Sequence, residues 1–276
     1  MRIELKNYKR FTDLRTQIAD EPGGWTFIHG WPNSGKTTLL EAIALILAPR
    51  LARDTLIGAC LLPPLGEAEI CTKGRQIVLR DHWYTLLGKE PLIQFISLYG
   101  AMRVYNKGHQ ARFDQTAAWN VSGYSALYTE LLVPTSPLQY LAIDYHRTND
   151  QWWPVLKDLL TGLACASVDF DDKARLCVDG VPFYRHGSAI QDLTGLFVDI
   201  IASWRQYTGA DAKPDLSQIQ GTVLIDRIDL HLNQRHLREI MLVLQREMPK
   251  LNFIVTMDRD NFMINWIRRQ DVTIPL

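Results

Sequence analysis

WTFIHGWPNSGKTTLLEAIA, from Trp25 to Ala44, holds every fixed position of the phosphate-loop pattern G-x-x-x-x-G-K-[ST] between Gly30 and Thr37. The apolar run Trp25 to Ile28 reads as the strand that feeds the loop, and Thr37 to Leu47 reads as the helix that leaves it. The chemistry requires that order. Glycines let backbone N–H groups curl round a phosphate, and the helix start adds partial positive charge. The pattern assigns Gly30, Asn33, Ser34, Gly35, Lys36, Thr37 and Thr38 to the binding of ATP. Lys36 reaches the β- and γ-phosphates, and the Thr37 hydroxyl joins a Mg2+ ion. An ordinary Gly-Pro turn is the plain alternative, but it leaves the flanking strand and helix unexplained.

A phosphate loop needs a second metal ligand, a carboxylate at the end of a neighbouring buried strand. Gly221 to Ile225 is a continuous apolar run of the kind buried in a parallel sheet, and Asp226 follows it. A carboxylate in that position is costly unless it is paired or holds a cation. Asp226 is therefore expected beside Thr37 on the metal, with a turn or cap role as the alternative.

The chain has 276 residues, of which 47% are apolar and 22% charged, enough to bury a sizeable core. Thirty basic residues balance thirty acidic ones, so net charge gives no support to nucleic-acid binding. The four cysteines, Cys60, Cys71, Cys165 and Cys177, lack C-x-x-C spacing and read as small buried residues, not as zinc ligands. MRIELKNYKRF at the N-terminus has no apolar signal core, and the longest apolar stretch, Leu39 to Leu47, is interrupted by Glu41. A soluble, cytoplasmic protein with no membrane partner is expected.

Along the chain, Met1 to Phe11 alternates and reads as an edge strand. Ala68 to Cys71 and Gln76 to Arg80 read as a hairpin, and Leu92 to Leu98 as a stronger strand. Val104 to Pro134 reads as loop, then Pro137 to Arg147 and Asn149 to Leu163 as helices, the second interrupted early by Pro154. Ala166 to Phe170 and Arg175 to Val178 read as strands, with Asp179-Gly180 as a turn. Gly187 to Tyr207 is an amphipathic helix with Leu193, Leu196, Phe197, Ile200, Ile201 and Trp204 on one face. Gln234 to Met248 is a helix, Asn252 to Thr256 a buried strand, and Asn261 to Arg268 a short helix. The alternation predicts an α/β fold, a three-layer P-loop NTPase with a mostly parallel sheet. An added helical and antiparallel portion is expected within a single domain, whose core is 1–60 and 180–276 and whose intervening part is 61–179. The aromatics from Tyr99 to Trp153 read as core packing before partner surface.

The run GTVLIDRIDLHLNQRHLREIMLVLQREMPKLNFIVTMDRDNFM, Gly221 to Met263, resembles a stretch of the ABC-type ATPases of the RecF, Rad50 and OLD-like AAA group. That stretch reads GIVLIDEIDLHLHP, then a helix, then FIVTTHSP. Met1 to Phe11 looks like the group's opening strand, and Ser97 to Arg103 looks like its YG-x-x-R segment. Gly180 to Trp204 occupies the place of its signature helix, with Tyr184-Arg185-His186-Gly187-Ser188 where members have L-S-D-G-Y. The resemblance implies an ABC-ATPase head-like fold and a head-to-tail ATP sandwich. The partner across the ATP face is then a second copy or a related ATPase subunit.

The departures from the group concern catalysis. Arg227 stands where the resemblance implies the Glu that follows the strand-end Asp, and Asp258 stands where it implies the switch His. The signature serine is also displaced. An arginine offers donors and no acceptor, so it cannot orient or deprotonate an attacking water. The expectation is an ATP·Mg2+-binding switch with slow or partner-dependent hydrolysis. The alternatives are an active ATPase that uses Asp258 or Asp229 as the water-positioning carboxylate, and a scaffold stabilised by its nucleotide. Members of the group act in DNA repair and in defence against phage, often with a nuclease or topoisomerase-like domain. With 276 residues there is room for neither here, so an effector is expected on a separate chain.

Overall fold

The computed structural model describes residues 1–49, 67–80, 83–89, 95–100, 151–164, 166–172, 175–208, 215–230, 232, 234–258 and 271–276. The expected loop at Val104 to Pro134 and the helices at Pro137 to Arg147 and Asn261 to Arg268 lie outside the described residues. In chain order the strands are β1 (Arg2–Tyr8), β2 (Phe11–Gln17), β3 (Trp25–Gly30), β4 (Glu67–Thr72), β5 (Arg75–Arg80), β6 (Trp83–Gly88) and β7 (Ile96–Tyr99). They continue with β8 (Val168–Phe170), β9 (Leu176–Val178), β10 (Val181–Pro182), β11 (Gln220–Ile225), β12 (Lys250–Asp258) and β13 (Val272–Pro275). The helices are α1 (Lys36–Leu47), α2 (Trp152–Ala164), α3 (Ser188–Thr208) and α4 (Gln234–Glu247).

The central sheet is parallel throughout its described pairs, in the order β13-β3-β12-β11-β7. Both of its faces are covered, which is why its strands read as unbroken apolar runs. Alternate residues still divide between the faces, as the two-residue period of a strand demands. Trp25, Phe27, Val223, Ile225, Phe253 and Val255 pack with residues of α2, α3 and α4. Ile28, Leu224 and Ile254 point the other way, toward α1.

The second sheet, β2-β1-β4-β5-β6, is antiparallel and lies on the far side of α1. Its Ile3, Leu5, Ile70, Ile77 and Leu79 share a core with Leu39, Leu40, Ile43 and Ile46 of α1. A helix held between two sheets needs apolar residues nearly all round, and LLEAIALIL supplies them. β1 lies between β2 and β4, so the sequence reading of Met1 to Phe11 as an edge strand is corrected. Its alternation reflects one face on the core, and the edge is β2, none of whose residues is buried. A small three-stranded sheet, β10-β9-β8, stands beside α2. Trp152 and Tyr99 are buried in the helical layer's core.

Candidate functional site

The carboxyl ends of β3, β12 and β11 meet at one edge of the parallel sheet, where open α/β sheets place their ligands. The phosphate loop leaves β3, Asp258 ends β12 opposite Gly30, and Asp226 follows β11. Three separate stretches of sequence thus converge through strand register alone.

The loop closes on itself. Ser34 N–H donates to the Trp31 carbonyl at 3.1 Å, and Asn33 takes a left-handed φ of 61°. Gly35 sits at the N-cap of α1 with φ 102°, where a side chain would be strained and would meet Arg10 Cδ at 2.5 Å. Gly30 is required for a different reason. A Cβ there would come within 2.3 Å of the Leu276 carbonyl oxygen and 2.7 Å of Ser34 Oγ. The first turn of α1 has no acidic residue and no side-chain cap, so its amides remain available to an anion. Ser34 Oγ is buried with no hydrogen-bond partner among the described residues, a donor aimed at the same loop.

Lys36 is 8% exposed and folds back over the loop. Its Nζ donates to the carbonyls of Gly30 at 2.7 Å and Trp31 at 2.9 Å, and lies 3.3 Å from Asp258 Oδ1. The second oxygen of Asp258 accepts from Arg227 at 3.3 Å. Asp258 therefore joins Lys36 of the loop to Arg227, the residue after Asp226. Its backbone N–H in turn donates to Asp229 Oδ2 at 2.9 Å, which fixes the end of β12.

Asp226 is buried, and its carboxylate accepts from Thr37 Oγ1 at 3.0 and 3.2 Å. Those two oxygen-bearing side chains fit a hard divalent cation such as Mg2+, which binds through one or two protein oxygens plus phosphate and water. Thr38 follows Thr37 in the same first turn of α1. Among the described residues there is no cluster of three or more His, Cys, Asp or Glu side chains that would hold a metal independently of a nucleotide.

Several neighbours of the site carry no recognisable motif. Arg10, from the turn between β1 and β2, and Phe11, the first residue of β2, lie against Gly35. That turn is tied to α1 by the ion pair of Lys9 with Glu41. Glu41 is one helical turn beyond Thr37, and its carboxyl is pushed up from 4.5, chiefly by burial. Lys9 opposes that rise, and the nearby charge of Asp226 adds to it. Thr256 of β12 bonds to both Asp226 and the backbone of Arg227. The segment expected to hold the signature is a short 3-10 turn, Phe183–Arg185, running into α3 at Ser188. His186 Nε2 lies 3.0 Å from the Val178 carbonyl there.

No family model matches the chain, and no curated protein matches it. Among solved structures, the chain is similar to the Smc head domain from Pyrococcus furiosus, bound to the C-terminal domain of ScpA. That match is at 14% identity and TM-score 0.49, covering 96% of this chain and 90% of that one. It is similar to the recombination mediator RecF at 11% identity and TM-score 0.48, covering 95% and 93%. A bacterial ABC transporter cassette, dimeric in its structure, matches at 12% identity and TM-score 0.42, covering 99% and 94%.

Proposed function

We propose that the chain is an ABC-like P-loop protein that binds ATP·Mg2+ as a switch, hydrolysing ATP slowly or only when a partner supplies missing groups. The observation that carries this reading is the chain of ion pairs from Lys36 through Asp258 to Arg227. Hydrolysis needs a group that orients or deprotonates water beside the γ-phosphate. Arg227 has only donors to offer, and both oxygens of Asp258 are engaged by cations.

The other parts of the site serve binding. The α1 amides and Lys36 hold the phosphates, while Thr37 and Asp226 hold Mg2+, which would neutralise phosphate charge. The partner is a second copy or a related ATPase subunit, docking across the ATP face. Trp31, 56% exposed on the phosphate loop, supports that placement. A separate effector chain in DNA repair or in defence against phage is the setting the sequence resemblance implies, and the location proposed is the cytoplasm. No helix among the described residues is long and apolar enough to cross a membrane.

A second reading has one observation in its favour. Asp258 is 33% exposed, so a nucleotide that draws Lys36 away would free one carboxylate oxygen to face water. Phosphate release and thermal shift on adding ATP·Mg2+, with Lys36→Ala as control, separate the readings. A ligand at a hundredfold its Kd adds about 2.7 kcal/mol of stability, an easily measured shift. Stabilisation with slow or no turnover supports the switch. Turnover at about one per second or faster, a common enzyme rate, supports the active ATPase. The absence of both effects in the wild type overturns the nucleotide reading, the nucleotide-stabilised scaffold included.

A further inference from the structure

We propose that Thr256 is the positioning residue of the metal site, holding the Asp226 carboxylate and the turn that carries Arg227 as one unit. The inference deepens the ATP·Mg2+ reading and rests on it. Thr256 is fully buried in β12, and the pairing of Ile225 with Val255 puts it beside the end of β11. Its Oγ1 accepts the Arg227 N–H at 2.7 Å. A backbone amide can only donate, so the hydroxyl's own proton is left for its other neighbour, Asp226 Oδ1. The direction of both bonds is thereby fixed. The Thr256 carbonyl accepts a third bond, from Ile228 N–H at 3.0 Å. One residue of β12 thus secures three consecutive residues after β11.

Two consequences follow for the site. Oδ1 of Asp226 takes the Thr256 proton as well as lying 3.2 Å from Thr37 Oγ1, so Oδ2, 3.0 Å from Thr37 Oγ1, is the less engaged oxygen and the one that would be offered to a metal. Arg227 has a φ of 51°, a left-handed conformation that is unfavourable for a long side chain, and its N–H bond to Thr256 offsets that strain. The same turn delivers the guanidinium to Asp258. Removing the hydroxyl should therefore loosen the metal carboxylate without touching the phosphate loop.

The test is ATP affinity by calorimetry, with Mg2+ and with EDTA, for the wild type, Thr256→Val and Thr256→Ser. Partners that orient a metal ligand are worth about 10- to 100-fold in metal affinity. We expect Thr256→Val to lose about tenfold or more of the Mg2+-dependent gain while its Mg2+-free affinity stays within about threefold of wild type. Thr256→Ser, which keeps the hydroxyl, should restore the gain. A full gain in Thr256→Val overturns the positioning role, and so does an equal fall with and without Mg2+, which marks general packing damage. If Thr256→Val does not fold, Thr256→Cys, whose thiol is only a weak donor and acceptor, carries the same comparison. A wild type with no Mg2+-dependent ATP binding overturns the nucleotide reading itself, an outcome distinct from a wild-type gain that Thr256→Val retains.

Discussion

Arg227 meets Asp258 at 3.3 Å across the ends of two adjacent parallel strands, and the other oxygen of Asp258 faces Lys36 at the same distance. A carboxylate between two cations is balanced by them. It becomes a like charge once a γ-phosphate arrives. Asp258 should therefore compete with nucleotide for Lys36, and it is the one acid so placed among the described residues. Asp258→Asn is expected to tighten ATP binding by about 1 kcal/mol, roughly fivefold, the scale of partly exposed pairs. ADP, which lacks the γ-phosphate, should gain less. Calorimetry with both nucleotides checks this, and equal or weaker binding of ATP contradicts it.

The pairing of Arg227 with Asp258 also bears on turnover. Arg227→Glu alone would place a second carboxylate against Asp258, and Asp258→His alone would take away the carboxylate between the cations Lys36 and Arg227. The double change Arg227→Glu with Asp258→His removes both conflicts. It should raise phosphate release more than the two single changes combined, as expected of groups that act as a unit. Additive effects in that cycle would mean that the two positions work independently.

How much of this was legible in the sequence depends on what each residue must bury. The phosphate loop and Asp226 were legible because a fixed glycine spacing and an acid directly after Val223, Leu224 and Ile225 have few other uses. β2 was not, because FTDLRTQ forms an edge that buries no residue and so leaves no apolar alternation to read. β13 was too short to announce itself, and it reaches β3 only through long-range pairing. The helix expected from Asn149 begins at Trp152, and Pro154 falls in its first turn, where the missing N–H costs nothing. Thr256 gave no signal because threonine is an ordinary strand residue. Its role arises from the register of β11 and β12, which local sequence does not contain.

Glycine positions give a stability test. Gly30→Ala would drive a methyl to 2.3 Å from the Leu276 carbonyl oxygen, a backbone atom that cannot rotate away. β13 or the loop must shift, at about 1–3 kcal/mol by analogy with overpacked cores. Gly162→Ala, in α2 where the added Cβ would meet no other part of the protein within 4 Å among the described residues, should instead stabilise by about 0.5–1 kcal/mol. Denaturant midpoints for both variants check the contrast. The ATP-induced thermal shift should be lost in Gly30→Ala and kept in Gly162→Ala.

The ion pair of Lys9 and Glu41 predicts a pH dependence with a definite sign. Glu41 is buried on α1, faces Lys9 from the β1–β2 turn and feels the charge of Asp226 from the turn after β11. Burial raises its carboxyl above 4.5, and Lys9 is the group that lowers it. A carboxyl raised on folding contributes stability below its unfolded value, and that contribution is lost as pH rises through the folded value. Lys9→Met removes the lowering partner, so the charged carboxylate becomes costlier and the loss at pH 8 grows. We expect a deficit of about 2 kcal/mol there, below the range for fully buried pairs because the Lys9 side chain stays 26% exposed. The deficit should shrink as pH falls toward 4.5, where Glu41 takes a proton without penalty. Melting temperatures of wild type, Lys9→Met and Glu41→Gln across that range give the answer. A deficit in Lys9→Met that is the same at both ends would assign the contact to packing of the lysine stem instead of to charge.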